Sequence, residues 1–447
     1  MVMLSTPPKL YPTSRHRRTL RPARVLVGLG LVGAFSFALL ISFVLVSAVP
    51  NVTDLQRPPE EAYLRSSQVE LLDDENAYLA LVKAVNGSVL TGNQLVRYER
   101  TIQRGEWDQE VAEEVVESNE EALSSLSKVF QCTSSAYRYA WDQGDKYRFL
   151  SERRKDFVKL LYVVPRMLHE SDRTSEALEF ATAQLRLATM IKRGEGELLS
   201  YATGVSLQNG AVETLLELAA ADEITRGAYD RLQQAAEDSH DDGSQIRRAL
   251  KEDYAATWRQ INRYVSQDFG DGDGNAFQDA LRSYFFHSNR TKTELAEFYC
   301  AMLTSIDKPY SLASMPSRNP LFGGDEWSLK YFTTPNSFGD TMLSICLPPA
   351  HGVARAKSAA NTRLSAVRLI LAARRFTVEH DSLPETMEHL IPEYLPAVPL
   401  DDFDGQPIRF NKDRGIVYSV GRNLVDDGGD PKKDIVWSVD SFTAEAP

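Results

Sequence analysis

Cysteine is scarce: Cys132, Cys300 and Cys346 are the only three in 447 residues. They are too few and too scattered for a disulfide framework or a zinc site, both of which need close pairs. Two readings stay open, one bridge between Cys300 and Cys346 or three buried thiols. Catalytic signatures are missing as well. No HExxH, CxxC or phosphate-cradling Walker loop occurs, and the nearest approach to GxSxG is Gly204-Val205-Ser206-Leu207-Gln208. His169, His240, His287 and His351 show no ligand spacing. His380 and His389 flank a Leu-Pro turn with Asp381 and Glu388 nearby, an arrangement that suits a metal or acid/base pair but is commoner as plain surface histidines around a turn. No catalytic residue is assigned, and no enzyme activity is expected. Basic charge is also in deficit, with a formal net charge of −12. Nucleic acid is a poor partner for such a chain, and cations or other proteins are better ones.

One long hydrophobic run is present. Residues 25–49, VLVGLGLVGAFSFALLISFVLVSAV, carry no charge and are long enough at 1.5 Å per residue to cross a hydrocarbon core of about 30 Å. Ahead of them lie Lys9, Arg15, Arg17, Arg18, Arg21 and Arg24 without an acid, which places residues 1–24 on the cytoplasmic side. The expectation is a single-pass helix in the inner membrane, with everything after it extracytoplasmic. A cleaved signal peptide is the rival, since Val46-Ser47-Ala48 resembles a cleavage site, but the run is longer than a signal core. Residues 50–72 then read as a polar, proline-containing linker.

From residue 73 to 307 helical spacing dominates. Val111, Val115, Leu123, Leu126 and Phe130 form one stripe, and Phe157, Leu160, Leu161, Val164 and Leu168 another. Leu178, Ala181, Leu185 and Ile191 mark a third, and Val212, Leu215, Leu216 and Leu218 a fourth. Breakers separate them without a fixed period, so the expectation is an irregular helical bundle. DFGDGDGNAFQD places Asp271, Asp273 and Asn275 like an EF-hand, but Ala276 and Arg282 stand where that loop needs glycine and glutamate, which leaves an interhelical turn. Residues 308–350 are rich in Pro, Gly and aromatics and read as an irregular connection over the helical core.

Helical spacing returns at Ala356, Ala360, Leu364, Val367 and Leu371 and ends near Asp381. Ser382-Leu383-Pro384-Glu385 reads as a capping box that opens a short second helix. Three runs alternating in period two follow, Ile408/Phe410, Ile416/Tyr418/Val420 and Ile435/Trp437/Val439, and predict a three-stranded antiparallel sheet. Residues 355–447 are thus expected to form a small α+β domain, in a chain that is otherwise mainly α.

The order of these features carries a resemblance. Leu383-Pro384, Pro399, Asp401, Phe403, Gly405, Pro407, Tyr418-Ser419, Gly421 and Asp426 fall into the pattern of the head of the type II secretion major pseudopilins. The resemblance covers residues 355–440. Asp402 stands where that family has proline, Asp404 is an added residue, and residues 25–49 lack the family's glutamate. It implies a calcium site in the loop YSVGRNLVDDGGDPKKDI. The residues agree with that chemistry: Asp426, Asp427, Asp430 and Asp434 lie within nine residues, and hard Ca²⁺ takes oxygen ligands. Gly428 and Gly429 let the backbone turn tightly between them. A plain solvated turn is the alternative. The functional expectation is a membrane-anchored extracytoplasmic structural or interaction protein with protein partners, part of a secretion-type or envelope assembly, with a calcium-stabilised C-terminal domain. A helical ligand- or peptide-binding module is the second reading, and an extracytoplasmic hydrolase the third.

Overall fold

The structure, a computed structural model, describes residues 64, 72, 75–87, 107–132, 134–136, 150–194, 196–219, 225–269, 283–317 and 334–439. Its helices are α1 (Ala77–Gly87), α2 (Gln109–Glu117), α3 (Glu120–Val129), α4 (Leu150–Glu170), α5 (Thr174–Arg193), α6 (Leu198–Ala219), α7 (Arg226–Asp238), α8 (Ser244–Phe269), α9 (Ser288–Leu303), α10 (Ser337–Cys346) and α11 (Ala350–His380). Strands β1 (Arg409–Asn411), β2 (Ile416–Ser419) and β3 (Ile435–Ser438) follow. They form an antiparallel sheet in the order β1-β2-β3, as the period-two runs predict.

Small residues set the helix packing. The α5 face carrying Ala177, Ala181, Leu185 and Ala188 is buried against α6, and Gly204 on α6 sits where a Cβ would meet Lys192 Cγ at 2.5 Å. The absent side chain makes room for a lysine stem inside the hairpin. Around it lie three groups of buried apolar side chains. One joins α1 to α3 with α4 and α5. Another joins the start of α6 to α8, α9, α10 and the first turns of α11. The largest runs from Leu178, Leu215 and Leu232 of the helical body through Leu364 and Leu371 of α11 to Val417 and Trp437 of the sheet.

α11 is therefore a shared element. α6 and α7 pack on one side of it and β2 on another, and its polar residues Lys357, Asn361, Thr362 and Arg375 are buried along with its leucines. It ends at Asp381, which takes the left-handed conformation at φ 54°. Beyond it the capping-box expectation gives way to a single 3-10 turn, Met387–Leu390. Met387 and Leu390, three apart, are its buried residues, which suits a three-residue turn, and the following Pro392 cannot continue a helix. Within 308–350, where an irregular connection was expected, α10 forms, and its Phe338 meets Phe286 edge to face with centroids 6.0 Å apart. The stripe over 111–130 divides into α2 and α3 at Asn119, whose buried amide donates to Val115 O at 2.8 Å.

The membrane-spanning helix expected over residues 25–49 is not supported, nor are the single-pass topology, the inner-membrane location and the extracytoplasmic ectodomain drawn from it. Among the described residues no helix is long and apolar enough to cross a membrane. Polar residues interrupt the long helices: α11 carries Arg355, Lys357, Arg363, Arg368, Arg374 and Arg375, and α6 has Gln208, Asn209, Glu213 and Glu217 within its apolar run. Residues 25–49 themselves lie outside the described residues, as do the basic segment 1–24 and the EF-hand-like stretch at 271–282.

Trp437 is 4% exposed and pairs with Val417 across the sheet on the face toward α11. Trp437→Ala in the full chain should cost about 3–5 kcal/mol in denaturant unfolding. A loss below about 1 kcal/mol, the size of a surface change, would contradict this packing.

Candidate functional site

The aspartate loop lies across the outer face of the sheet. Val417 and Trp437 point toward α11, so Ile416, Tyr418 and Val436 point the other way and form a separate buried patch. Glycine lets the loop close on that patch. Gly429, at φ 77°, approaches so closely that a Cβ there would meet Ile416 Cδ1 at 2.7 Å and Tyr418 Cδ1 at 3.3 Å. Arg414 Nη1 donates to Gly428 O at 3.0 Å and ties the loop to the β1–β2 turn.

The four aspartates sit differently within it. Asp426 is exposed, accepts from the Gly428 amide at 3.0 Å and lies 3.4 Å from Arg409 Nε. Asp427 accepts from Lys433 Nζ and Asn423 Nδ2, each at 2.9 Å. The Lys433 ammonium holds its carboxyl below the usual carboxylate range. Asp430 Oδ1 accepts from the Lys432 amide at 3.1 Å. Asp434 is fully buried, and its Oδ2 accepts from the Gly429 amide at 2.7 Å. Its Oδ1 is buried with no hydrogen-bond partner. Burial pushes the Asp434 carboxyl up, against the pull of the Gly429 and Asp427 amides. Leaving a carboxylate oxygen buried and unpaired is costly, so this atom marks a position where a cation would be favourable.

The structure does not gather the four carboxylates around one point. Among the described residues no three His, Cys, Asp or Glu side chains converge closely enough to hold a metal ion. Protein cations separate them instead, Arg409 drawing Asp426 and Lys433 drawing Asp427.

Beneath the loop sits a carboxylate that sequence reasoning placed in the pattern without a role. Asp401 is fully buried. Its Oδ1 accepts from Thr362 Oγ1 at 3.1 Å and the Phe403 amide at 3.0 Å, and its Oδ2 from Arg409 Nη1 and the Val420 amide, both at 3.1 Å. One side chain thus joins α11, the 399–407 segment, β1 and the end of β2. Arg409 continues the chain of charge to Asp404 and Asp426. Hydrogen bonding to Asp404 holds the guanidinium more firmly protonated still.

Sequence reasoning also missed a buried polar seam between the helical body and α11. Lys192, 2% exposed, donates to Gln208 Oε1 at 2.5 Å and Ser239 O at 2.6 Å, while Asp241 takes the Tyr201 hydroxyl at 2.8 Å. Burial lowers the Lys192 ammonium to about 8. Its position seven residues after Leu185, on the apolar stripe of α5, was the available signal. The three cysteines are free and half-buried, so the structure has neither the bridge nor three buried thiols. His380 stacks on Phe376 at 4.1 Å between centroids, a packing role.

No protein-family model matches the chain, and neither a curated protein nor a solved structure does.

Asp401→Ala should cost about 3–5 kcal/mol, because it strips acceptors from two buried amides, a hydroxyl and a guanidinium at once. Equilibrium denaturation of the full chain measures this, and a loss under about 1 kcal/mol would show that the junction does not depend on this carboxylate.

Proposed function

We propose that the protein is a structural or interaction protein whose C-terminal segment, similar to a pseudopilin head, is stabilised by calcium at Asp426, Asp427, Asp430 and Asp434. The observation that carries this reading is the buried, unpaired Oδ1 of Asp434 inside a loop that holds three further carboxylates. A hard cation there would supply the missing partner for that oxygen and neutralise the mutual repulsion of the aspartates. The glycines at 428 and 429, both at positive φ, let the backbone turn tightly beside these carboxylates. Arg409 and Lys433 already neutralise part of the loop charge. Calcium binding therefore requires Lys433 to release Asp427.

A second reading has one observation in its favour. Between the first turns of α5 and α7 lies a cleft of about 560 Å³, with Leu178, Ala228 and Leu232 along its floor and Glu179, Arg186 and Arg231 at its rim. A groove of this kind between helices suits a short peptide or small ligand, and it supports a binding module built on the helical body.

The calcium reading is tested by melting the full chain with calcium and with chelator. Calcium at a hundredfold excess over its dissociation constant should stabilise the protein by about 2.7 kcal/mol. Asp434→Asn should abolish that shift. Lys433→Met should enlarge it, since the competing ammonium is gone. A wild-type melting temperature indifferent to calcium, or a Lys433→Met protein no more responsive than wild type, would leave the loop as a lid closed by its own cations.

A further inference from the structure

The α5–α6 turn presents a second acidic group, far in sequence from the aspartate loop. Glu197 immediately precedes α6 and is 8% exposed. Among the described residues no hydrogen-bond or ion-pair partner reaches its carboxyl group. Its surroundings carry the same sign of charge. α8 presents Glu252, itself buried, and Asp253. The positive group facing Glu197 from α8 is Arg259, which is exposed and so screened by solvent. From α9, Tyr299 donates to Asp253 Oδ2 at 2.5 Å, and from α10 Cys346 lies beside the same pair. Asp253 also accepts from the Leu198 amide and so caps the start of α6.

We propose that Glu197 is a proton-controlled latch: protonated, it lets the α5–α6 turn lie on α8, and loss of the proton releases the turn. A neutral carboxyl can occupy that position. An ionised one, in a residue only 8% exposed and beside two other acids, does so only at a cost. The rest of the turn is anchored elsewhere, Gly194 lying against Ser135 and Arg193 donating to Asp238 O at 2.6 Å, so release is confined to the first turn of α6. The electrostatics agree. Burial, reinforced by Asp253, raises the Glu197 carboxyl to about 8, and burial raises that of Asp253 to about 6.

The sign follows from linkage. A carboxyl whose folded-state pKa is raised contributes stability that is complete below its ordinary value of 4.5 and is lost as pH rises through about 8. Lys192 and His240, both lowered by burial, act in the opposite sense, so the wild type alone would not isolate the effect.

The test compares the full chain with Glu197→Gln, which keeps the shape and cannot ionise. The ratio of unfolding constants, wild type over variant, should rise by about tenfold per pH unit between about pH 5 and 8 and then level off. Amide exchange at Leu198 to Tyr201, corrected for intrinsic rate, should accelerate over the same range in the wild type only. A ratio independent of pH would overturn the proposal. Should Glu197→Gln fail to fold, infrared titration of the wild type decides. A protonated carboxyl band that persists at neutral pH and disappears near pH 8 supports the latch, and its complete loss below about pH 6 overturns it.

Discussion

The architecture depends on how α11 satisfies polar groups while buried on nearly every side. A helix packed by other helices on one flank and a sheet on another cannot send its lysine, asparagine and threonine to water, so each must find a partner in the protein. Each does. Lys357 meets Asp402 at 3.0 Å, and Thr362 meets the buried Asp401. Asn361 exchanges two hydrogen bonds with Asp241, accepting from its amide at 3.1 Å and donating to its carbonyl at 2.8 Å. Gln208 reaches the Ala360 carbonyl at 3.0 Å, and Arg375 reaches Asp230 at 2.9 Å. Apolar contacts alone would let α11 slide by a turn against α6 and still bury leucines. The polar pairs do not permit that, since a shift would strand several buried groups at once.

This constraint explains what the sequence made legible. Period two located the strands because the stripes Ile408/Phe410 and Trp437/Val439 join the core around α11, although in β2, buried on both faces, Val417 faces α11 and the stripe residues Ile416 and Tyr418 face the loop. The stripe Ala360, Leu364, Val367 and Leu371 located α11 for the same reason, with Ala356 falling outside the core as an exposed residue. The second buried flank was not legible. It is made of Ser358, Asn361, Thr362 and Ser365, small polar residues that read as solvated until their surroundings are known. Those surroundings come from far along the chain, Asp241 being 120 residues from Asn361. Hydrophobic periodicity reports the side of a helix that faces apolar neighbours. It says little about a side that is buried against hydrogen-bonding ones.

The candidate site divides along the same line. The loop, its glycines and its position between β2 and β3 could be read from local sequence, because turn chemistry is local. The distribution of its charge could not. Asp426 and Asp427 are neighbours in sequence, yet one turns to Arg409 on β1 and the other to Lys433 within the loop. Asp434, similar to them on paper, is the one whose carboxyl lies inside the fold. A cluster of like charges in sequence is thus four distinct environments in space, and the arginine that organises it comes from another strand.

Arg409 also links the buried junction to the aspartate loop. Its guanidinium spans the fully buried Asp401, the half-buried Asp404 and the exposed Asp426, so one cation connects the α11 junction to the loop on the opposite face of the sheet. The Asp401 end is held by four donors, and the Asp426 end by a single longer contact of 3.4 Å. Any cation that captures Asp426 would therefore take it from the weak end of the network. The buried end would keep its partners, and Arg409 would remain tied to Asp401 and Asp404. The loop can change its charge state while the junction beneath it stays intact, because the cost of disturbing the network rises with burial from one end of the guanidinium to the other.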